Sequence, residues 1–80
     1  MKEYKIKLMT QEDQIKFSKI CASFPFDINL CKGSYVVDAK SLLGVCSIDT
    51  RKDCYITISP KLDTHSVKKF EKSINKWAVN

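Results

Sequence analysis

The sequence predicts an α+β protein: a two-layer, open-faced β-sandwich in the order β-α-β-β-α-β-α, with a four-stranded antiparallel sheet carrying three helices on one face. Three observations predict it. Apolar and polar residues alternate in four short stretches, the pattern of half-buried strands. Apolar residues recur at helical spacing in two longer stretches, and a short apolar run follows a capping serine. The chain has 80 residues, which suits one domain spanning 1–80 and no more.

Tyr4, Ile6 and Leu8 alternate with Lys5 and Lys7, giving a first strand with a basic outer face. Thr10 is a candidate N-cap with Asp13 three places on, and Phe17, Ile20, Cys21 and Phe24 follow at i, i+3, i+4, i+7. A helix from about Thr10 to Ser23 results, and Pro25 stops it. Phe26, Ile28 and Leu30 alternate with Asp27, Asn29 and Cys31 in a second strand. Lys32-Gly33-Ser34 is a turn, because Gly33 is free to take a positive φ. Tyr35, Val37 and Ala39 then form the inner face of a third strand, with Val36 and Asp38 outward.

Ser41 to Ile48 reads as a short helix carrying Leu42, Leu43, Val45 and Ile48, and the polar stretch 49–53 reads as a loop. Cys54 to Ser59 is a fourth strand, with Ile56 and Ile58 on one face and Tyr55 and Thr57 on the other. Asp63 or Thr64 caps a last helix whose buried side is Val67, Phe70, Ile74 and Trp77. Phe17, Phe24, Phe70 and Trp77 are expected in the core. Lys5, Lys7, Asp27, Asn29 and Thr57 are expected on the wet face of the sheet.

The balance of charge is +5, with 14 Lys and Arg of which only Arg51 is an arginine. Lysines spread from Lys2 to Lys76 read as a solvated surface, and the scarcity of arginine disfavours nucleic acid as a partner. No apolar run is long enough for a membrane span, and no apolar stretch behind Met1–Lys5 suggests a leader. A cytoplasmic protein with reduced thiols is therefore expected. Cys21, Cys31, Cys46 and Cys54 match no zinc spacing, and neither a metal nor any other cofactor is expected. Gly33 and Gly44 are isolated, so there is no phosphate-cradling loop. Nothing places Ser, His and Asp as a catalytic set, so no enzyme is expected.

The run Ala39-Lys40-Ser41-Leu42-Leu43-Gly44-Val45-Cys46-Ser47-Ile48 resembles the A-K-S-[IL]-x-G-[VLM]-x-S-[LI] string of the HPr family, the phosphocarriers of the bacterial sugar phosphotransferase system. Tyr55 to Ser59 resembles the family's next strand without a gap, and Phe17 to Gly33 can be laid on its first helix and second strand. The resemblance implies the element order already derived from pattern. It also implies a divergent member. Working phosphocarriers carry a G-x-H-x-R-P-A type loop at the start of the first helix, where the His is phosphorylated and the Arg helps hold the phosphate. Here that stretch is Met9-Thr10-Gln11-Glu12-Asp13-Gln14-Ile15-Lys16, without His, Arg or Pro. Glu12 and Asp13 also have the wrong sign for an anion at a helix N-terminus.

By the same resemblance, Ser41 matches a regulatory serine that a dedicated HPr kinase phosphorylates in many Gram-positive-type bacteria, after which the phospho-form binds a transcriptional regulator. Read from its position alone, Ser41 is an N-cap, and one residue can serve both ends. The resemblance further implies a partner-binding patch on the short helix. Lys40, Leu42, Leu43 and Cys46 are its candidates, with Leu43 and Cys46 the expected exposed pair. The expectation is a non-catalytic regulatory or protein-binding domain, with a weak homodimer left open. Two alternatives stand beside it: a degenerate phosphocarrier using His65, and a small basic nucleic-acid-binding module.

Overall fold

A computed structural model describes residues 2–79. Its elements are β1 (Lys2–Ile6), α1 (Gln11–Ala22), β2 (Ile28–Lys32), β3 (Tyr35–Asp38), α2 (Leu42–Cys46), β4 (Cys54–Ile58) and α3 (Thr64–Ile74), the expected β-α-β-β-α-β-α order. The strands form one antiparallel sheet in the order β1-β4-β2-β3. All three helices pack on one face.

Local chemistry sets the helix ends. Thr10 sits in extended backbone and its hydroxyl accepts the Asp13 N–H at 3.1 Å, opening α1. Asp63 does the same for α3, accepting the Ser66 N–H at 3.1 Å and the Ser66 hydroxyl at 2.6 Å. Gly33 takes φ +58 in the β2–β3 turn, where a side chain would be strained. Gly44 answers a different need. A Cβ there would come within 3.2 Å of the Val37 Cβ, so the absence of a side chain lets α2 lie directly on β3.

The core lies between the layers. Ile6, Ile28, Leu30, Ile56 and Ile58 come from the sheet, and Phe17, Cys21, Val45, Val67, Phe70 and Ile74 from the helices. Aromatic edges lock α1 and the residues just after it to α3 and the residues just after that. Phe17 meets Trp77 edge-on with centroids 5.7 Å apart, and Phe24 meets Phe70 at 5.3 Å. The Tyr4 hydroxyl donates to Glu71 Oε2 at 2.7 Å, tying β1 to α3.

The structure corrects the sequence reading in several places. Alternation places Cys31 and Thr57 outward, with Thr57 on the wet face, but only 4% and 5% of their surfaces are exposed. Both lie on interior strands. Thr57 is flanked in register by Glu3 and Asn29, and Cys31 by Tyr55 and Val36, so neighbouring side chains cover them. Tyr35 was expected on an inner face but is 54% exposed, because β3 is the edge strand. The first strand ends at Ile6, since the Leu8 N–H donates to Thr50 O in the loop before β4 and not to a strand. The second begins at Ile28 rather than Phe26, and Phe26 instead packs 5.8 Å from the Phe70 ring.

Trp77 is buried as expected, but not on the α-helix. α3 stops at Ile74, and Asn75–Trp77 form one turn of 3-10 helix. The chain then extends beside β1. Lys7 N–H donates to Trp77 O, Val79 N–H donates to Lys5 O, and Ala78 bridges Ile6. Those bonds require extended backbone, so the helix yields before Trp77.

All four cysteines are free thiols, and Cys21 is fully buried beside the helix interface. Burial pushes its thiol up from an ordinary value of 9.0 to about 12. Above the ordinary value the unfolded chain releases this proton while the folded chain keeps it, so folding loses its advantage as pH rises. Stability measured by urea unfolding is expected to fall as pH climbs from about 9 toward about 12 through this thiol. Burial of Tyr4 raises its phenol in the same direction, starting from 10.0. Burial also raises the Cys54 thiol from the same 9.0, so Cys21→Ala should reduce, not abolish, the earliest part of the fall, between about 9 and about 10, where Tyr4 does not yet contribute. An unchanged slope in that variant would assign the alkaline loss elsewhere.

Candidate functional site

α2 is five residues long and too short to hide its own side chains. Val45 is buried at 0% exposure, while Leu43 is 87% exposed and Leu42 42%. Cys46 is exposed one turn beyond both, so Leu42, Leu43 and Cys46 lie on neighbouring positions of one outward surface. Met9, 58% exposed, stands just before the α1 cap and shares a groove with Cys46. Tyr35 extends the surface on the other side, its hydroxyl 3.5 Å from the Ser47 Oγ. The result is an apolar strip around α2, bordered by the start of α1.

The groove beside it has a volume of about 350 Å3 and runs between residues 8–14 and residues 46–51. A small hydrogen-bond network fixes its walls. The buried Thr50 hydroxyl donates to Leu8 O at 2.8 Å and accepts from Gln14 Nε2 at 3.0 Å. Gln14 Oε1 in turn lies 3.5 Å from the Cys46 Sγ, within reach of the thiol proton. Gln14 thus joins α1, α2 and the 49–53 loop.

Arg51 lines the same groove, but its charge is already matched. Its Nε and Nη2 donate to the two Asp49 carboxylate oxygens at 2.9 and 3.1 Å. Those hydrogen bonds hold the Asp49 carboxyl well below the usual carboxylate range. The pair is solvent-exposed, so it orients the loop more than it stabilises the fold. The first turn of α1 presents Glu12 and Asp13, and Glu12 pairs with Lys16 at 2.8 Å. Negative groups thus occupy the end of the helix that would otherwise favour an anion.

In sequence, no protein-family model and no curated protein matches this chain. In structure it superposes on HPr-C-His from Thermoanaerobacter tengcongensis with a TM-score of 0.68 and 18% identity, covering 95% of this chain and 93% of that one. It superposes on the phosphocarrier protein HPr from Bacillus anthracis with a TM-score of 0.68 and 19% identity, covering 91% and 93%. The fold is HPr-like.

Within the HPr-like fold the candidate residues separate into two groups. Ser41, Leu42, Leu43 and Cys46 fall together on α2 and its cap. Ser41 Oγ accepts the Gly44 N–H at 3.2 Å and Ser41 N–H donates to Asp38 O, so the serine both starts the helix and ends β3. Lys40 points elsewhere. Its ammonium donates to Phe24 O at 2.7 Å, closing the end of α1. His65 belongs to another place altogether, on the first turn of α3 beside a cleft lined by Ser23, Phe24, Pro25, Phe26 and Lys69.

Sequence reasoning passed over Thr50, Gln14 and Met9. Thr50 and Gln14 gave no signal, because a polar residue in a polar loop and one on a helix reveal no shared partner. Met9 did give one: an apolar residue between a strand and a cap has no place in either period.

Ser41→Ala removes an N-cap and should cost about 1 kcal/mol in urea unfolding, with Ser41→Asp recovering most of it. A cost near zero for alanine would show that β3 and α2 hold this corner without the hydroxyl. Thr50→Val should cost more, about 1 to 3 kcal/mol, since it leaves the Leu8 carbonyl and the Gln14 amide without their partner. Equal stability of Thr50→Val and the parent would mean the groove wall does not depend on this network.

Proposed function

We propose that this protein is a non-catalytic, HPr-like regulatory or protein-binding domain that docks a protein partner through α2 and is regulated by phosphorylation of Ser41. The observation that carries the reading is the 87% exposure of Leu43 on a helix whose neighbour Val45 is fully buried. Large apolar side chains exposed side by side mark a surface that another molecule covers. Leu42, Cys46 and Met9 are exposed beside it and widen the surface.

Ser41 suits the regulatory part. It occupies the cap of α2, where a phosphate adds nearly two negative charges beside free N–H groups. The modified serine would keep the bond from Gly44 and place new charge at the border of the apolar strip. Lys40 is the nearest cation in sequence, and reaching a phosphate would require it to leave the Phe24 carbonyl. The absence of His from Met9 to Lys16, together with Glu12 and Asp13 in the first turn of α1, supports a role other than histidine phosphotransfer.

An HPr kinase and a transcriptional regulator are the partner types that the resemblance suggests. Incubation with an HPr kinase and ATP is expected to add one phosphate, lost in Ser41→Ala, by intact-mass spectrometry. No mass gain on the parent protein would remove the regulatory part. Leu43→Glu is expected to weaken binding of the phospho-form to the regulator by about 2 kcal/mol or more, as an anchor residue would. Unchanged affinity in Leu43→Glu, with the fold intact, would remove α2 as the docking element.

A further inference from the structure

The basic stripe on β1 lies on the sheet face opposite the helices and takes no part in the α2 surface. Lys5 pairs in register with Tyr55, so the two side chains stand next to each other on that face. Lys7 follows two residues on. Lys52 comes from the turn before β4, where Asp53 adopts φ 57. These residues line a cleft of about 410 Å3 together with Ile6, Cys54 and Val79.

Two properties make this cleft distinctive. Its walls are fixed on both sides: Lys5 O accepts from Val79 N–H and Lys7 N–H donates to Trp77 O, each at 2.9 Å, while Lys5 and Ile6 pair in register with Tyr55 and Cys54 of β4. Its charge is unbalanced. Among the described residues, Lys5, Lys7 and Lys52 face one carboxylate in the lining, Asp53, and Glu3 lies further along the same sheet face. The ion pairs among the described residues use Lys2, Lys16 and Arg51, and none uses these three lysines. The rest of the lining is apolar or aromatic, with Tyr55 and Val79 both half-buried.

We propose that this cleft docks an acidic peptide segment of a protein partner, with carboxylates on the three lysines and an apolar side chain against Tyr55 and Val79. The charge is spread over flexible, exposed ammonium groups, which suits several carboxylates along a chain. A nucleic acid fits less well. Its readers use arginine forks and rows of stacked aromatics, whereas this cleft has no arginine and one tyrosine. The site is separate from α2, so both can be occupied at once.

The probe is a capped hexaglutamate peptide with one central leucine, titrated into the isotopically labelled protein and read by amide chemical shifts. Shifts are expected at Lys5, Lys7 and Lys52 to Tyr55, with none on α2. The variant Lys5→Gln, Lys7→Gln, Lys52→Gln changes only exposed side chains. Once its spectrum confirms the fold, it should bind about tenfold or more weakly. Raising salt from about 50 to about 500 mM should weaken the parent likewise. Leu43→Glu should bind the peptide as the parent does, which separates this site from the α2 surface. Absence of shifts at the cleft, shifts centred on α2 or α3, or full binding by the triple variant would overturn the proposal. So would a single-stranded oligonucleotide of equal charge binding the cleft more tightly than the peptide.

Discussion

β4 pairs on both sides, with β1 at one edge and β2 at the other, although it is the last strand of the chain. The rest of the molecule depends on that insertion. Ile56 and Ile58 bring the middle of the sheet under the helices, and both are almost fully buried. β1 has no other strand partner, and β2 without β4 would be half of an isolated hairpin, which is rarely stable in water. The insertion also makes α1, α2 and α3 share one core rather than pack in separate pairs.

The same insertion builds the surfaces. To enter between β1 and β2, the chain must leave α2 and turn back through residues 47–53. That loop is then pulled onto the start of α1 by Thr50, whose hydroxyl bridges Leu8 and Gln14. Asp49, Thr50 and Arg51 line the groove beside α2, and the next residues, Lys52 and Asp53, line the basic cleft on the open face. One turn thus borders two surfaces of different character. The first is a mostly polar groove beside the apolar strip of α2; the second sets three lysines around an apolar floor.

α2 shows how a short helix can be rigid and still present its side chains. Ser41 and Ser47 close its two ends, and Gly44 lets it sit hard against Val37. Only Val45 reaches the core. The remaining apolar groups have no room beneath them, so their exposure follows from close packing rather than from loose packing. The HPr-like arrangement therefore keeps an exposed apolar surface on α2 even where the first turn of α1 carries carboxylates.

The sequence by itself determined the element order, the helix caps at Thr10 and Ser41, the cap of α3 to within Asp63 or Thr64, and most of the core, because period, capping and turn chemistry are local properties. It also foretold Leu43 and Cys46 as an exposed pair, since two turns of helix cannot bury every apolar side chain. What needed the tertiary structure was everything set by strand neighbours. Alternation put Thr57 and Cys31 on the outer face correctly, yet their burial arose from strands on both sides. Trp77 left its helix for a 3-10 turn because the chain after it bonds to β1. Thr50, Gln14 and the lysine cleft likewise arise from residues far apart in sequence, and only the assembled sheet brings them within a hydrogen bond or a shared wall.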